Sequence, residues 1–146
     1  MTTERAEAVL QTAPVGRLGL NLAGESYVVP LNFAYLEGNI YFHCAKVGKK
    51  VEMMRENPAV CFEVDRMIGI KEGDIACAYS CYYESVIGWG DAEFLMTTEE
   101  ERAALDLIMK KYAPGHSPSY SEKSLDEVAV VKIPLTRMTG KAYDPQ

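Results

Sequence analysis

His43, Lys46, Gly48, Lys49 and Lys50 share the short stretch HCAKVGKK (43–50), and each is of a type that can handle a phosphate or a proton. A helix start presents unpaired N–H groups and the positive end of its dipole, a glycine lets backbone approach a ligand closely, and lysines add charge. Such a stretch can seat a phosphate-bearing ligand. The same residues also read as a solvated basic helix start on an acidic surface, and the spacing alone leaves both readings open. The pattern is not a P-loop, which needs Lys followed directly by Ser or Thr, and no G-x-G-x-x-G opens a helix. Ser85 offers a hydroxyl that could donate to a phosphate oxygen. The four cysteines, Cys44, Cys61, Cys77 and Cys81, form no C-x-x-C pair and are expected to be buried free thiols. A zinc site built from Cys77, Cys81 and His43 is disfavoured, because C-x-x-x-C on a strand is not a recognised ligand spacing.

The elements that must position these residues follow from periodicity. Val29, Leu31, Phe33 and Tyr35 alternate with Val28, Pro30, Asn32 and Ala34, and Ile40 to Cys44 alternates again after Glu37-Gly38-Asn39. That is a hairpin pattern with turn residues that tolerate positive φ. Pro30 lacks an N–H, which places its strand at an edge or an irregularity. Tyr41 and His43 share one face of the second strand, with Ile40, Phe42 and Cys44 on the other. A short helix with Val51 and Met54 at helical spacing ends at Asn57-Pro58.

Ahead of this segment, Glu4 to Thr12 reads as a helix stopped by Pro14. Arg17 to Leu22 reads as a strand that turns at Ala23-Gly24-Glu25, so the first three strands are expected to form an antiparallel meander. Val60, Phe62 and Val64 mark a further half-buried strand, and residues 66–78 read as a loop. Tyr79 to Leu95 is a long strand in which Gly88 and Gly90 signal a bulge or close approach; its aromatics read first as core and second as ligand contacts. Thr98-x-x-Glu101 is a capping box ahead of a helix whose apolar face is Leu105, Ile108, Met109 and Tyr112, with Lys110 and Lys111 suiting its C-terminal dipole. His116 falls in an exposed Pro/Gly loop. Glu127 to Leu135 is the last strand. Strands with two principal helices and no βαβ alternation imply a closed or nearly closed antiparallel barrel.

At 146 residues, with 48% hydrophobic and 25% charged residues, the chain suits one globular domain. A net charge of −6 argues against nucleic-acid binding and makes the lysine cluster stand out. The acidic N-terminus lacks a signal pattern and no long apolar run occurs, so a cytoplasmic protein without membrane partners is expected.

The blocks GRLGL (16–20), YVVPLNFAY (27–35), IYFHCAKVGKKVEMMRENPAVCFEVD (40–65), YESVIGWGDAE (83–93) and VAVVKIPLTRMTGKA (128–142) resemble, in this order, the Nim (5-nitroimidazole resistance) family within the pyridoxamine 5′-phosphate oxidase-like flavin proteins. The resemblance covers nearly the whole chain. It implies a mainly β protein, a six-stranded antiparallel split barrel with a few helices, forming a single domain over 1–146 and usually a homodimer with FMN at the subunit interface. It implies that the backbone of Val28, Val29, Pro30, Leu31 and Asn32 faces the flavin ring, that Lys49 and Lys50 bind the phosphate, and that His43, Cys44, Glu84 and Ser85 lie near the cofactor. His43 is the implied catalytic residue. FAD, haem or a deazaflavin are the alternatives to FMN that the wider family implies. No second basic cluster is present for a substrate phosphate, which argues against pyridoxamine phosphate oxidation itself.

Two functions follow from these expectations. One is a reductase in which NAD(P)H or another donor feeds a flavin that reduces a small organic acceptor such as a nitroaromatic, with His43 as proton donor or as an orienting hydrogen-bond partner. The other is a non-enzymatic flavin- or haem-binding module that stores cofactor or senses redox state.

Overall fold

The computed structural model describes residues 1–145. Helix α1 (Thr3–Thr12) is capped by the Thr2 hydroxyl, which accepts from the Arg5 N–H, and it turns Ala6, Val9 and Leu10 into the core. It leads into β1 (Gly16–Leu22) and β2 (Glu25–Leu31), a hairpin whose turn residues Ala23 and Gly24 both have positive φ. Next come β3 (Ala34–Leu36), β4 (Asn39–Ala45), α2 (Lys49–Glu56) and the long β5 (Ala59–Lys71). The second half of the chain holds β6 (Ser80–Asp91), β7 (Glu93–Phe94), α3 (Thr98–Tyr112), α4 (Glu122–Glu127) and β8 (Val128–Tyr143).

The hydrogen-bonded order is β2-β1-β5-β6-β8-β4-β3, every pair antiparallel, with β7 pairing β8 off this path. The long β8 makes this possible, because its first half pairs with β4 and its second half with β6. The two end strands of the path, β2 and β3, are consecutive in sequence and joined through Asn32-Phe33. The sheet therefore curls until its ends meet, yet they do not pair, which makes a split barrel. Eight strands are present where six were expected; β3 and β7 are the two short ones, with three and two residues.

This topology corrects the expected hairpin. Val29, Leu31, Phe33 and Tyr35 do all point inward, but the run is two strands, and β2 pairs with β1 while only β3 pairs with β4. Inward alternation continues through the break, so periodicity could not reveal it. The three-strand meander fails for the same reason, since β2 never touches β4's ladder. The turn itself is where it was expected, with Glu37 at φ 47° and Gly38 at φ 82°, a two-residue turn that suits strand twist. Pro30 does lie on an end strand.

The break needs partners for its backbone. Phe33 is fully buried, its N–H donates to the Tyr112 hydroxyl (3.0 Å), and that hydroxyl lies 2.8 Å from the Pro14 carbonyl and 3.1 Å from the Phe33 carbonyl. Lys111 does not sit free at the helix terminus. Its ammonium lies 3.6 Å from the Phe33 ring centroid and 3.4 Å from the Leu10 carbonyl, and burial pushes its pKa down to about 8.

Inside the barrel, Phe33 meets Phe62 edge-on at 4.8 Å, surrounded by Leu18, Ile40, Phe42, Val64, Val86 and Ile133. A Cβ at Gly90 would fall 2.1 Å from the Pro134 carbonyl oxygen, at the point where the β6–β8 register shifts, so the close approach expected there is real. Three other expectations change. Residues 66–71 continue β5 as one side of a hairpin arm, and only 72–78 forms the connection to β6, including a 3-10 turn at Ala76–Ala78. The last strand runs on to Tyr143, and α4, capped by Ser121, precedes it. The cysteines are all free, but only Cys44 is buried, and Cys77 is exposed on the arm.

The capping box is also one residue early. Thr97 is the N-cap of α3, accepting from the Glu100 N–H (3.3 Å) while its hydroxyl bonds the Glu100 carboxylate (2.9 Å). With Thr-Thr-Glu-Glu-Glu in the sequence, both registers satisfy the pattern, and only the helix start decides. Thr97→Ala is expected to lower stability by about 1 kcal/mol, with Thr98→Ala close to neutral, in denaturant melts of the two variants.

Candidate functional site

The lysine cluster opens α2 where the chain leaves β4. Gly48 is the N-cap with φ 127°, a conformation open to glycine, and no side chain caps the helix. The first-turn N–H groups thus face outward beside Lys49 and Lys50. Lys49 is paired with the Glu25 carboxylate and lies 4.7 Å from the Tyr27 ring centroid. The carboxylate holds the Lys49 pKa above its ordinary value. Lys50 is half-buried and close enough to Cys44 to counter the burial that pushes that thiol's pKa up. Glu25 is a residue that the sequence pattern did not mark, because its contact with Lys49 joins β2 to a helix across the fold.

Around this start, the expected ring-facing segment lies on an end strand. Val29 and Leu31 turn inward against the core, while Val28 (63% exposed) and Pro30 turn outward, and the Asn32 amide donates to the Pro14 carbonyl (3.4 Å). The cross-strand register Val28–Gly19–Cys61–Trp89–Arg137 makes one row across the outer face, with the Arg137 guanidinium 3.7 Å from the Trp89 ring centroid. Gly19 has no side chain, so this row encloses an open trough of about 500 Å³ bordered by Val28, Cys61, Trp89 and Thr136. Ser85 belongs to the same outer face, between Asp65 and Lys141 in register.

His43 is elsewhere. It is exposed on the opposite side of β4 from Phe42 and lines a separate cavity of about 220 Å³ walled by Leu105, Ile108, Met109, Leu125 and Val128. No residue lines both cavities. Within one chain, then, Val28 and Ser85 share the outer sheet face, Lys49 and Lys50 sit at the α2 start, and His43 faces the α3–α4 side. Among the described residues, no three His, Cys, Asp or Glu side chains stand close enough to hold a metal ion.

Glu84 points inward and is only 3% exposed. Its carboxylate is held by the Arg5 guanidinium from α1 and the Arg66 guanidinium from β5, and Arg5 also bonds Asp144 (2.8 Å). Burial alone would raise its pKa, but the hydrogen bonds and charges of Arg66 and Arg5 outweigh that and hold it below the usual value. These contacts make Glu84 the pin between α1, β5 and the chain's C-terminal end.

Residues 2–142 match the family described as pyridoxamine 5′-phosphate oxidase. The chain belongs to the pyridoxamine 5′-phosphate oxidase family. Among solved structures, a candidate 5-nitroimidazole antibiotic resistance protein from Bacteroides thetaiotaomicron is 37% identical, with a TM-score of 0.85 over 97% of this chain and 84% of that one. An FAD-binding protein from Mesorhizobium loti is 25% identical, with a TM-score of 0.72 over 99% of this chain and 96% of that one. The FAD and haem binding protein from Mycobacterium smegmatis, 17% identical over 99% of this chain and 72% of that one, shares the fold at a TM-score of 0.90. No curated protein matches the chain. The resemblance to the Nim group read from the sequence thus agrees with the B. thetaiotaomicron match, and the oxidase family's split barrel is the fold observed. No helix among the described residues is long and apolar enough to cross a membrane.

The Glu84 pin makes an acid-side prediction. Because its folded-state pKa is depressed, its contribution is complete above the unfolded value near 4.5 and is lost as pH falls through the lower folded value. The stability of the parent chain over Glu84→Gln should therefore be constant from neutral pH to about 5 and shrink below it, measured as the difference in urea midpoints across pH.

Proposed function

We propose that this chain is an FMN-binding reductase of small organic acceptors such as nitroaromatics, drawing electrons from NAD(P)H, acting in the cytoplasm as a homodimer with the cofactor at the subunit interface. The observation that carries the reading is the start of α2: a glycine cap at φ 127°, no capping side chain, and two lysines in the first turn of a chain that is acidic overall. A flavin phosphate is nearly a dianion and needs such N–H and cationic partners. Lys49 meets it by exchanging the exposed Glu25 carboxylate for a more highly charged partner. Lys50 lies deeper, beside Cys44.

The end strand β2 supplies what a flavin ring requires from backbone. Among the described residues its outer edge pairs with no strand, so its N–H and C=O groups there, apart from the missing N–H of Pro30, are available to the heteroatoms of the ring. Bound flavin would supply two-electron transfer between donor and acceptor. The protein's own chemical contribution is His43, whose imidazole can donate a proton to, or hydrogen-bond, a reduced acceptor.

Homodimer formation is supported by the β5–β6 arm. Met67, Ile70, Ile75 and Tyr79 are all more than half exposed along the β5–β6 arm and its connecting turn. The end of the arm, from Gly69–Tyr82 to Lys71–Ser80, lies past the last β8 pair and is only two strands wide, an arrangement that is marginal alone. Light scattering at micromolar concentration should return twice the 16.2 kDa chain mass, and a single-chain mass would overturn the dimer.

The phosphate assignment is tested by Lys49→Ala/Lys50→Ala. Both residues are at the start of a surface helix that tolerates alanine, so the variant should fold normally and lose FMN affinity by about a hundredfold or more, with a much smaller loss for riboflavin. Equal losses for both ligands, or none, would place the phosphate elsewhere.

A further inference from the structure

A further cavity, of about 270 Å³, opens between α3 and the strands β3, β4, β7 and β8, and it shares no lining residue with the outer-face trough or the His43 cavity. Helix α3 presents Glu100, Ala103, Ala104 and Leu107 to it, whereas Leu105, Ile108 and Met109 serve the His43 cavity. Along its strand wall, β7, β8 and β4 place Glu93, Lys132 and Tyr41 in one register row. A carboxylate directly opposite an ammonium on the neighbouring strand is positioned to pair with it. Here neither Glu93 nor Lys132 forms an ion pair among the described residues, although Lys132 is half-buried. The Tyr41 hydroxyl makes no hydrogen bond among those residues either. Two opposite charges and a hydroxyl therefore stand open side by side.

The rest of the lining is apolar apart from Glu100, whose carboxylate is already bonded by the Thr97 hydroxyl (2.9 Å). A simple anion would meet Lys132 but be repelled by Glu93, and a simple cation would meet the reverse. A guest that carries both charges matches both, and it gives the half-buried Lys132 the counter-ion it lacks. An ammonium and a carboxylate on one carbon, as in an α-amino acid, reach two neighbouring side chains together. Size sets the remainder of the guest. An apolar cavity of about 150 Å³ holds a benzene ring, so about 270 Å³ suits roughly ten non-hydrogen atoms, the size of leucine or methionine. The space exists because α3 has alanine at 103 and 104, and the apolar part of the guest would rest on Leu36, Leu95 and Leu107.

We propose that this cavity is a binding site for a zwitterionic amino acid with a medium-sized apolar side chain. Lys132 and the Tyr41 hydroxyl hold its carboxylate, and Glu93 holds its ammonium. The site is independent of the flavin reading, because none of its residues belongs to the α2 start, the β2 edge or the His43 cavity. It bears on the barrel all the same. The helix that walls it carries Tyr112 to the split, so a guest that joins α3 to β8 steadies the element that closes the barrel.

The test titrates the full chain, labelled at leucine methyl groups, with unlabelled L-leucine and follows it by NMR. The Leu36, Leu95 and Leu107 methyl signals should shift saturably, with Kd below about 1 mM. Two analogues each lack one charge: 4-methylpentanoate has no ammonium, and 3-methylbutylamine has no carboxylate. Both should bind at least tenfold more weakly than leucine, as should glycine, which has no side chain to fill the apolar part. Lys132→Met and Glu93→Gln should each weaken leucine at least tenfold; Glu93 is exposed, so its variant keeps the test in force if the Lys132 variant does not fold. Saturating leucine should also raise the thermal midpoint of the parent chain and leave that of Glu93→Gln unmoved. No saturable shift in the parent chain, equal binding of either singly charged analogue, or full leucine binding by a folded Glu93→Gln would each overturn the site.

Discussion

A sheet that curls round until its first and last strands meet without pairing leaves backbone groups that must be satisfied away from water. In this protein the Tyr112 hydroxyl does that work, accepting from the Phe33 N–H and reaching the Pro14 and Phe33 carbonyls. The consequences spread outward. The C-terminus of α3 is held against the split, which sets the helix across β3 and β4 and so builds the cavity that His43 lines. Because the gap stays open, the outer edge of β2 keeps free backbone groups, and the flavin reading draws on that edge. The cost is visible in Lys111, whose ammonium is drawn over the Phe33 ring and is easier to deprotonate than an ordinary lysine.

Charge is distributed so that buried and exposed groups do different work. Glu84 is buried and so needs both Arg5 and Arg66, since an unpaired carboxylate there would be costly. Through these two pairs it ties α1 to the barrel wall. Lys49 and Glu25 are both exposed, and an exposed pair contributes little. Its partner can therefore be exchanged for an anion at small expense. The same ion-pair chemistry pins the fold in one place and leaves an exposed, exchangeable pair in the other, and burial is what separates them.

The outer sheet face and the His43 cavity point in different directions from one chain. A cofactor that used Val28, Lys49 and His43 together would need parts of the site from a second copy, which is why the proposed homodimer and the proposed cofactor position stand or fall together. The aromatic Trp89 illustrates the point. Sequence pattern assigns it to the core, yet it stands on the outward face under Arg137, bordering the trough.

The sequence by itself determined the elements whose signals are local. The two tight turns follow from Ala23-Gly24 and Glu37-Gly38, where positive φ is required; α2 follows from Gly48 at one end and Asn57-Pro58 at the other; and the close approach at Gly90 follows from the absence of a side chain. The ordered blocks from GRLGL to VAVVKIPLTRMTGKA were enough to read the family. What only the tertiary structure decided was which strands pair and what covers each face. Alternation through Leu31 and Phe33 is the same whether the chain continues one strand or changes neighbours, so the split was invisible. Thr97 and Thr98 offer equal caps, and the helix start chose the first. The Glu25–Lys49 and Glu84–Arg5 contacts and the cavity beside His43 join residues far apart in the chain, and no local periodicity records a contact that exists only after the barrel has curled.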